Sequence, residues 1–510
     1  MDARRAVVIG AGIGGLAAAL RLAADGRAVT VVERAAGPGG KMRAVSVGDS
    51  RFDAGPTVFT MRWVFERLFE AAGLALDDHV RLRPATTLAR HAWQDGATLD
   101  LFADRQRSAE AIGAFAGARE ARNYLRFCDD SAAVFRLLKD SFLCQPRPNL
   151  GRLVRAFGRA GFASVGRLQP FGTLWRALSR QFDDPRLQQL FGRYATYCGS
   201  SPFEAPATLM LVAHVEQDGV WYVEGGMHVL AGGLAALIEQ QGGTLRYQSQ
   251  VDEIVIERGR VAGVRLQDGE HLPADAVIMN GDCAALAAGL LGQAVRSAVA
   301  PRPRTTRSLS AVTWLLEARA SGFPLLRHNV FFSSDYAREF RELFRQHRLP
   351  GEPTVYVCAQ DRGDEPKTGA GDAERLFCLV NAPAVGDRGG PEKAEIEACE
   401  NQTFSLLRRC GLAIERDPDR SVVTTPQDFH RLFPATGGAL YGRVSHGWKA
   451  SLQRPGCRTA IPGLYLAGGS VHPAPGVPMA TLSGLMAAES LVADRASIRR
   501  FRRAATSGGT

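Results

Sequence analysis

The stretch VVIGAGIGGLAAALRLAADGRAVTVVE, residues 7–33, joins an apolar strand, a glycine turn, an alanine- and leucine-rich helix and a second strand. Gly10, Gly12 and Gly15 form the pattern GxGxxG, and Glu33 closes the second strand. Glycines let backbone N–H groups approach a pyrophosphate, the helix N-terminus attracts anions, and the acid accepts hydrogen bonds from ribose hydroxyls. The stretch therefore predicts a dinucleotide site, and its acid favours FAD or NAD(H) over NADP(H).

A second glycine turn follows this unit and favours FAD. Residues 37–43, GPGGKMR, place Lys41 and Arg43 beside the same site. A nicotinamide domain usually continues directly into another strand and helix, which this chain does not. The turn resembles the Gly-Gly-Arg/Lys turn of flavin oxidoreductases of the amine-oxidase and phytoene-desaturase type. The alternative is a surface turn whose charges are solvated.

Composition indicates a globular chain of two to four domains. The 510 residues are 45% hydrophobic, and 62 basic residues exceed 52 acidic ones by ten. That excess suits an anionic membrane surface, nucleic acid or simple solubility. The nine cysteines show no CxxC pairs and no histidines at ligand spacing, so we expect reduced thiols and no metal site. No window reaches about 18 uninterrupted apolar residues, so no spanning helix is expected.

Residues 141–182 form a basic amphipathic segment that contains no acid. Aromatic and aliphatic residues are interleaved with its arginines, a mixture typical of helices that lie in a membrane interface. The alternative is a solvated arginine face over an ordinary core. Nucleic acid is not expected, because no known binding motif accompanies the charge. The arginines are Arg147, Arg152, Arg155, Arg159, Arg167, Arg176 and Arg180.

The end of the chain predicts a second half of the cofactor site. Residues 463–484, GLYLAGGSVHPAPGVPMATLSG, read as a strand, a glycine turn and a small-residue helix. We expect an α/β fold with a discontinuous Rossmann-like FAD-binding domain at residues 1–85, 222–300 and 436–498. A mixed α+β substrate domain with a helical membrane-facing region would span residues 86–221 and 301–435, before a basic tail at 499–510.

Four segments together carry a family resemblance: VVIGAGIGG…VVE, GPGGKMR…FDAGPT, WYVEGGMHVL and the closing stretch. Over nearly its whole length the chain resembles the bacterial phytoene-desaturase family of carotenoid oxidoreductases. Within it, GRYATYCGSSP, YVEGGMH, NVFF, VCAQDR and TTP are most similar to the hydroxyneurosporene (1-hydroxycarotenoid 3,4-) desaturases of purple bacteria. The resemblance implies hydride transfer to FAD from the C-3,4 bond of an acyclic 1-hydroxycarotenoid. It also implies a cytoplasmic enzyme attached peripherally to the inner or intracytoplasmic membrane.

The resemblance also implies a set of cofactor contacts. Glu33 would bind ribose and Lys41 would face phosphate or ribityl oxygens. The remaining contacts would come from Thr57, Val58, Val251, Asn280, Leu440, Gly469, Gly476, Val477, Pro478 and Met479. The family commonly has glycine where Ala474 stands and a flexible residue where Pro475 stands, so the closing turn is stiffer here.

Catalysis would rest mainly on the flavin, which accepts the hydride, so no strong protein base is demanded. His228 and Tyr194 are weak candidates for acid–base contact near the ring, and His472 is a third. Trp221, Tyr222, Tyr194 and Tyr197 would line an apolar tunnel with one polar end for the tertiary hydroxyl. For each of these residues, ordinary core packing is the alternative.

Other functions remain open from the sequence alone. A phytoene desaturase or a flavin-dependent carotenoid isomerase would share the same motifs. A flavin amine oxidase would leave the basic amphipathic segment unexplained, and a prenyl-protein escort would not need Glu33. The electron acceptor, oxygen or a quinone, is not indicated.

Overall fold

The computed structural model describes residues 5–160, 172–364 and 373–507, without the side chains of 159–160 and 495–507. The strands, in chain order, are β1 (Arg5–Ile9), β2 (Ala28–Val32), β3 (Ala44–Val47), β4 (Ser50–Asp53), β5 (Phe59–Thr60), β6 (Leu82–Pro84), β7 (Thr87–Ala92), β8 (Thr98–Phe102), β9 (Val220–Val223), β10 (Thr244–Arg246), β11 (Val251–Glu257), β12 (Arg260–Leu266), β13 (His271–Pro273), β14 (Ala276–Met279), β15 (Ser310–Ser321), β16 (His328–Phe331), β17 (Val355–Ala359), β18 (Glu374–Ala382), β19 (Ala413–Glu415), β20 (Ser421–Thr424) and β21 (Leu464–Leu466). The α-helices are α1 (Ile13–Ala24), α2 (Arg62–Glu70), α3 (Arg105–Ala116), α4 (Ala118–Leu138), α5 (Leu150–Ala160), α6 (Leu174–Gln181), α7 (Pro185–Gly192), α8 (Leu211–Gln217), α9 (Met227–Gln240), α10 (Cys283–Ala288), α11 (Tyr336–Arg341), α12 (Lys393–Arg409), α13 (Pro426–Leu432) and α14 (Val477–Ser507).

A five-stranded parallel sheet carries the glycine fingerprint. Its order is β10-β2-β1-β14-β21, so strands from three distant parts of the chain lie side by side. Val7 pairs with Thr30 on one side and with Val277 on the other, and both valines are buried. Buried parallel strands favour such continuous apolar runs, because helices cover both faces of the sheet. The predicted α/β fold with a discontinuous Rossmann-like sheet is confirmed.

Helix α1 follows β1 and packs against the final helix, α14, at very short range. Leu16 and Leu20 of α1 are fully buried. The contact depends on two glycines, since a Cβ on Gly484 would lie 1.9 Å from the carbonyl oxygen of Gly14. The two helices can therefore approach backbone to backbone, which brings both of their N-termini to the same edge of the sheet.

The second large sheet has the order β19-β15-β18-β17-β16-β7-β8, with β20 also paired to β15. Its core includes Trp314, which is 1% exposed and donates a hydrogen bond from its indole N–H to Glu400 on α12 at 3.2 Å. Asp53, the last residue of β4, links the β3–β4 hairpin to this sheet. The Asp53 backbone exchanges two hydrogen bonds with the Gln360 side chain, at 3.0 and 2.8 Å.

The basic segment 141–182 divides into two parts with different surroundings. On α6, Leu174 and Leu178 are fully buried, so its arginines cover an ordinary core. On α5, by contrast, Leu150 is 54% exposed and Val154 is 62% exposed. Arg167 lies outside the described residues. Only α5 therefore combines exposed apolar and basic residues in the described part of this segment.

Among the helices whose residues are described, none is long and apolar enough to cross a membrane. The nine cysteines are free, and all except Cys144 are buried. Within the same described ranges, no group of three or more histidine, cysteine, aspartate or glutamate side chains is arranged to hold a metal ion.

Candidate active site

One cavity of about 1050 Å³ runs through the molecule from the glycine fingerprint to helix α5. At one end it is lined by Gly10, Gly12 and Glu33. At the other end it is lined by apolar side chains of α5, among them Leu153 and Phe157. The nucleotide site and an apolar site are therefore two halves of a single space.

The fingerprint turn is held open by backbone conformation and one amide side chain. Gly10 has a φ of +94°, which favours glycine. The Asn280 side chain donates to the carbonyl oxygens of Gly10 at 3.1 Å and Gly12 at 3.2 Å. Gly15 is not among the lining residues, because it packs against the turn instead: a Cβ there would lie 2.1 Å from the carbonyl oxygen of Gly10. Gly14 takes its place in the cavity wall.

Glu33 supports the turn as well as lining the cavity. Its two carboxylate oxygens accept hydrogen bonds from the backbone N–H of Ala11 at 2.7 Å and of Ala35 at 2.8 Å. Each carboxylate oxygen has a second lone pair, so both can still accept a ribose hydroxyl. The residue can therefore hold the turn and a ribose at the same time.

The second glycine turn lies against the first. The Gly39 N–H donates to the Ala11 carbonyl at 2.9 Å, and a Cβ on Gly40 would lie 3.2 Å from the Gly12 Cα. Lys41 lines the cavity and donates from Nζ to the carbonyl of Leu440 at 2.5 Å. Burial lowers the Lys41 pKa, an effect that nearby Asp282 opposes. A partly buried cation beside two tight turns suits an anionic diphosphate.

The closing segment completes the cradle from the opposite side. Helix α14 begins at Val477 directly after Gly476, whose φ is +111°, and both residues line the cavity. Arg454, which no sequence motif marks, supports the glycine turn that precedes this helix, because it donates to the carbonyl of Gly469 at 3.0 Å. Burial lowers the Arg454 pKa to about 10. The other expected contacts that line this cavity are Thr57, Val58, Val251, Asn280, Leu440, Gly469, Pro478 and Met479, and Ala474 and Pro475 join them.

These residues fit FAD. Two helix N-termini, a partly buried lysine and close-packed glycine turns suit the diphosphate, and the Glu33 carboxylate suits the adenosine ribose. The same cavity continues past Thr57, which leaves room beside the cradle for a large apolar partner of the flavin ring.

The amino-acid sequence matches the family model of flavin-containing amine oxidoreductases over residues 13–492. It is 55% identical to a hydroxyneurosporene desaturase of Rubrivivax gelatinosus, covering 99% of this chain and 96% of the relative. A hydroxyneurosporene desaturase of Cereibacter sphaeroides is 47% identical over 97% of this chain and 99% of the relative. The chain belongs to the carotenoid desaturase family. It is an FAD-dependent oxidoreductase.

Solved structures show the fold of the family at much lower identity. An oxidoreductase from Methanosarcina mazei superposes with a TM-score of 0.59 at 17% identity, covering 95% of this chain and 100% of that one. A putrescine oxidase superposes with a TM-score of 0.58 at 14% identity, covering 96% and 99%. The amine-oxidase type of fold predicted for this desaturase family is thereby confirmed.

The three acid–base candidates have different positions. Tyr194 lines the cavity and donates to Glu216 Oε2 at 2.7 Å, and burial raises its pKa well above the ordinary value. His228 is not among the lining residues, because its Nδ1–H donates to Asp53 Oδ1 at 2.8 Å beside the N-terminus of α9. His472 is 1% exposed and donates from Nε2 to the carbonyl of Phe142 at 2.9 Å.

Of the four aromatic residues expected in the tunnel, two line the cavity and two lie outside it. Tyr194 and Tyr197 line the cavity, whereas Trp221 and Tyr222 are absent from its lining. Tyr222 lies on β9 and donates to Asp364 at 2.8 Å. Trp221 pairs with Phe59 of β5. These two residues serve the packing of a small sheet.

A polar group in the wall of the apolar half was not found from the sequence. Tyr356 shares hydrogen bonds with Thr57 Oγ1 at 2.7 Å and His328 Nδ1 at 2.8 Å. Burial lowers the His328 pKa to about 3, so this histidine is neutral. Glu216 lines the cavity between Tyr194 and Tyr197, and burial raises its pKa. No local motif marks these residues, since the fold brings them together from distant segments.

Proposed function

We propose that the protein oxidises the C-3,4 bond of an acyclic 1-hydroxycarotenoid of the hydroxyneurosporene or rhodopin type. The observation that carries this proposal is the single cavity, which joins an FAD cradle to an apolar wall reaching the protein surface at α5. Three relatives that are 43–55% identical over 96–99% of this chain are named hydroxyneurosporene desaturases, which supports the choice of substrate.

FAD, when bound, supplies the acceptor for the hydride that leaves the substrate. The protein contributes position and an apolar environment. Side chains such as Leu153, Phe157 and Leu190 exclude water from the polyene, and the cradle fixes the flavin beside it. The proton that leaves the adjacent carbon is acidified by the neighbouring polyene, so this mechanism assigns no base to His228, which lies outside the lining.

We propose the cofactor contacts named above as the functional residues, with Gly15 acting through packing. The FAD-binding domain would comprise residues 1–85, 222–300 and 436–498, and the substrate domain residues 86–221 and 301–435. The five-stranded sheet draws its strands from the first set of segments, and the larger sheet from the second. This distribution supports the division.

We also propose peripheral attachment to the cytoplasmic face of a membrane through α5. Leu150 and Val154 are exposed and also line the cavity, and Arg152 and Arg155 are exposed on the same helix. Neither arginine forms an ion pair with any described residue. Unpaired cations beside exposed apolar side chains suit an anionic lipid surface, and a carotenoid dissolved there would meet the opening of the cavity.

The decisive experiment compares substrates under identical loading in liposomes. Purified holoprotein is supplied with hydroxyneurosporene, neurosporene or phytoene under anaerobic conditions with an added quinone, and product spectra are recorded. We expect the hydroxylated carotenoid to gain one conjugated double bond faster than either hydrocarbon. Faster desaturation of phytoene would make the protein a general phytoene desaturase, and a changed isomer without added conjugation would make it an isomerase.

A further inference from the structure

Arg193 is a cation in the apolar half of the cavity. It follows directly after α7, is only partly exposed, and lines the cavity together with Tyr197. Its guanidinium carbon lies 5.5 Å from the ring centres of both Tyr197 and Tyr356. Tyr197 exposes 36% of its surface, and it too borders the cavity. The two tyrosines and the cation thus form a polar patch on a mainly apolar wall.

The guanidinium has more donors than partners. It carries five N–H donors, yet within the described ranges its side chain makes one hydrogen bond, a long one of 3.4 Å to the Tyr197 hydroxyl. That hydroxyl donates onward to Glu216 Oε1 at 2.8 Å, so Tyr197 connects the guanidinium to this carboxylate. A charge removed from water needs hydrogen-bond partners, and Arg193 therefore lacks an acceptor that a ligand oxygen could supply.

The patch also lies at the right end of the substrate site. Tyr356, beneath the guanidinium, is hydrogen-bonded to Thr57, which we propose contacts the flavin. The turn before Thr57 packs on the second glycine turn, where a Cβ on Gly55 would lie 1.9 Å from the Lys41 carbonyl oxygen. An oxygen on C-1 is within about 5 Å of C-3 and C-4, since carbon–carbon single bonds are about 1.5 Å. Its anchor must therefore lie near the flavin, and Tyr356 connects Arg193 to Thr57 in the proposed flavin site.

We propose that Arg193 donates hydrogen bonds to the oxygen at C-1 of the substrate and so sets the preference for oxygenated carotenoid ends. This inference rests on the proposed function. Because a guanidinium only donates, the site would accept a hydroxyl and a methoxy oxygen alike. A hydrocarbon end would leave the buried cation without an acceptor, which is the kind of loss that separates substrates strongly.

The test measures a ratio of rates in FAD-loaded protein in liposomes. The ratio of kcat/KM for hydroxyneurosporene to that for neurosporene is determined for wild type, Arg193→Met and Arg193→Lys. We expect Arg193→Met to lower the ratio at least tenfold, and Arg193→Lys, which keeps a cationic donor, to give an intermediate value. The matched control is Arg186→Met, because Arg186 lies 4.1 Å over the Phe115 ring and pairs with Asp184 outside the cavity lining. Its ratio stays at the wild-type value.

The outcomes separate the two proposals. A wild type without preference for the hydroxylated substrate overturns the proposed function, and the inference about Arg193 falls with it. A wild type with that preference, beside an Arg193→Met variant of equal preference and full FAD content, overturns only the role of Arg193. If Arg193→Met does not retain FAD, the test rests on Arg193→Lys. A ratio of kcat/KM values equal to that of the wild type in this variant also contradicts the proposal.

Discussion

Glu33 has two roles, and two substitutions remove its acceptor oxygens to different extents. It accepts hydrogen bonds from the N–H groups of Ala11 and Ala35, and it faces the proposed ribose position. Glu33→Gln keeps one acceptor oxygen, so it holds part of the turn, whereas Glu33→Ala loses both. We expect FAD per protein to fall for Glu33→Gln and to fall further for Glu33→Ala. Chromatography of the ligand released by denaturation measures both the amount and the identity of the nucleotide.

The control is Glu397→Ala, a change on an exposed side chain of α12 that is 60% accessible. It leaves the flavin content unchanged. Full retention of FAD by Glu33→Ala would contradict the proposed role of Glu33 in binding ribose. Release of NAD by the wild type would contradict the assignment of FAD as the cofactor.

At the scale of single residues, the sequence predicts what is local. Gly10, Gly12 and Glu33 belong to one strand–helix–strand unit, so their spacing alone indicates their chemistry. Arg193 and Tyr356 lie on different elements, and only the closed fold brings them together. For the same reason, residue type alone could not show that Tyr197 lines the cavity whereas Trp221 does not.

Between elements, the contact of α1 with α14 sets the shape of the cradle. Gly484→Ala would place a Cβ 1.9 Å from the Gly14 carbonyl oxygen, which forces the helices apart. We expect the unfolding free energy to fall by about 1–3 kcal/mol or more, together with loss of FAD. Thermal unfolding followed by flavin fluorescence measures both effects.

Gly232→Ala is the matched control, since a Cβ there meets nothing within 4 Å in helix α9. Alanine is the better helix former, so this variant gains about 0.5–1 kcal/mol. Equal stability of the Gly484 and Gly232 variants would contradict the close helix packing described above.

Helices α5 and α6 have similar composition and different surroundings, which gives a second prediction at this scale. We expect Arg152→Glu with Arg155→Glu to abolish flotation of the protein with anionic liposomes at low salt, since each basic residue near such a surface contributes about 1 kcal/mol. Arg176→Glu on α6 leaves most flotation intact. Density-gradient flotation measures the bound fraction.

Equal flotation of the wild type with neutral and anionic vesicles would remove the electrostatic part of this proposal. A loss for Arg176→Glu as large as that for the α5 double variant would contradict the choice of α5.

The same two helices show the limit of sequence patterns for elements. Basic and apolar residues alternate in both, and only the packing of Leu178 into the core separates α6 from α5. Strand β15 shows another limit, because its apolar run ends near Leu316 while the strand continues to Ser321. The added residues pair first with β18 and then with β19, partners that are distant in the sequence.

For the whole molecule, three buried neutral histidines predict sensitivity to acid. Burial lowers the pKa of His91 to about 4, of His328 to about 3 and of His472 to about 4. Below the ordinary histidine pKa of 6.5 the unfolded chain binds protons that the folded chain does not, so stability falls as pH falls. Glu339, whose pKa burial raises to about 7, acts in the opposite direction. The raised pKa of Glu216 also acts in that direction, whereas the lowered pKa values of His214 and His446 add to the effect of the other histidines. Because the histidines outnumber the carboxyls, we expect a net loss of roughly 1–3 kcal/mol per pH unit between about pH 5 and 6.

Thermal unfolding of the holoprotein at pH 7.5, 6.5 and 5.5 measures this effect as a falling Tm. His271→Gln, at an exposed position on β13, keeps the wild-type pH dependence. A Tm that is constant or rises from pH 6.5 to 5.5 would contradict the prediction.

Leu150 and Val154 belong at once to the outer surface and to the cavity wall. The cavity therefore has an apolar opening at α5 that faces outward. When water covers that opening, it can enter the apolar half of the cavity. A lipid layer in contact with α5 would instead close the opening to water. The polarity around the polyene therefore depends on whether the protein is bound to a membrane. The bound membrane would form the part of the cavity wall that the protein leaves open.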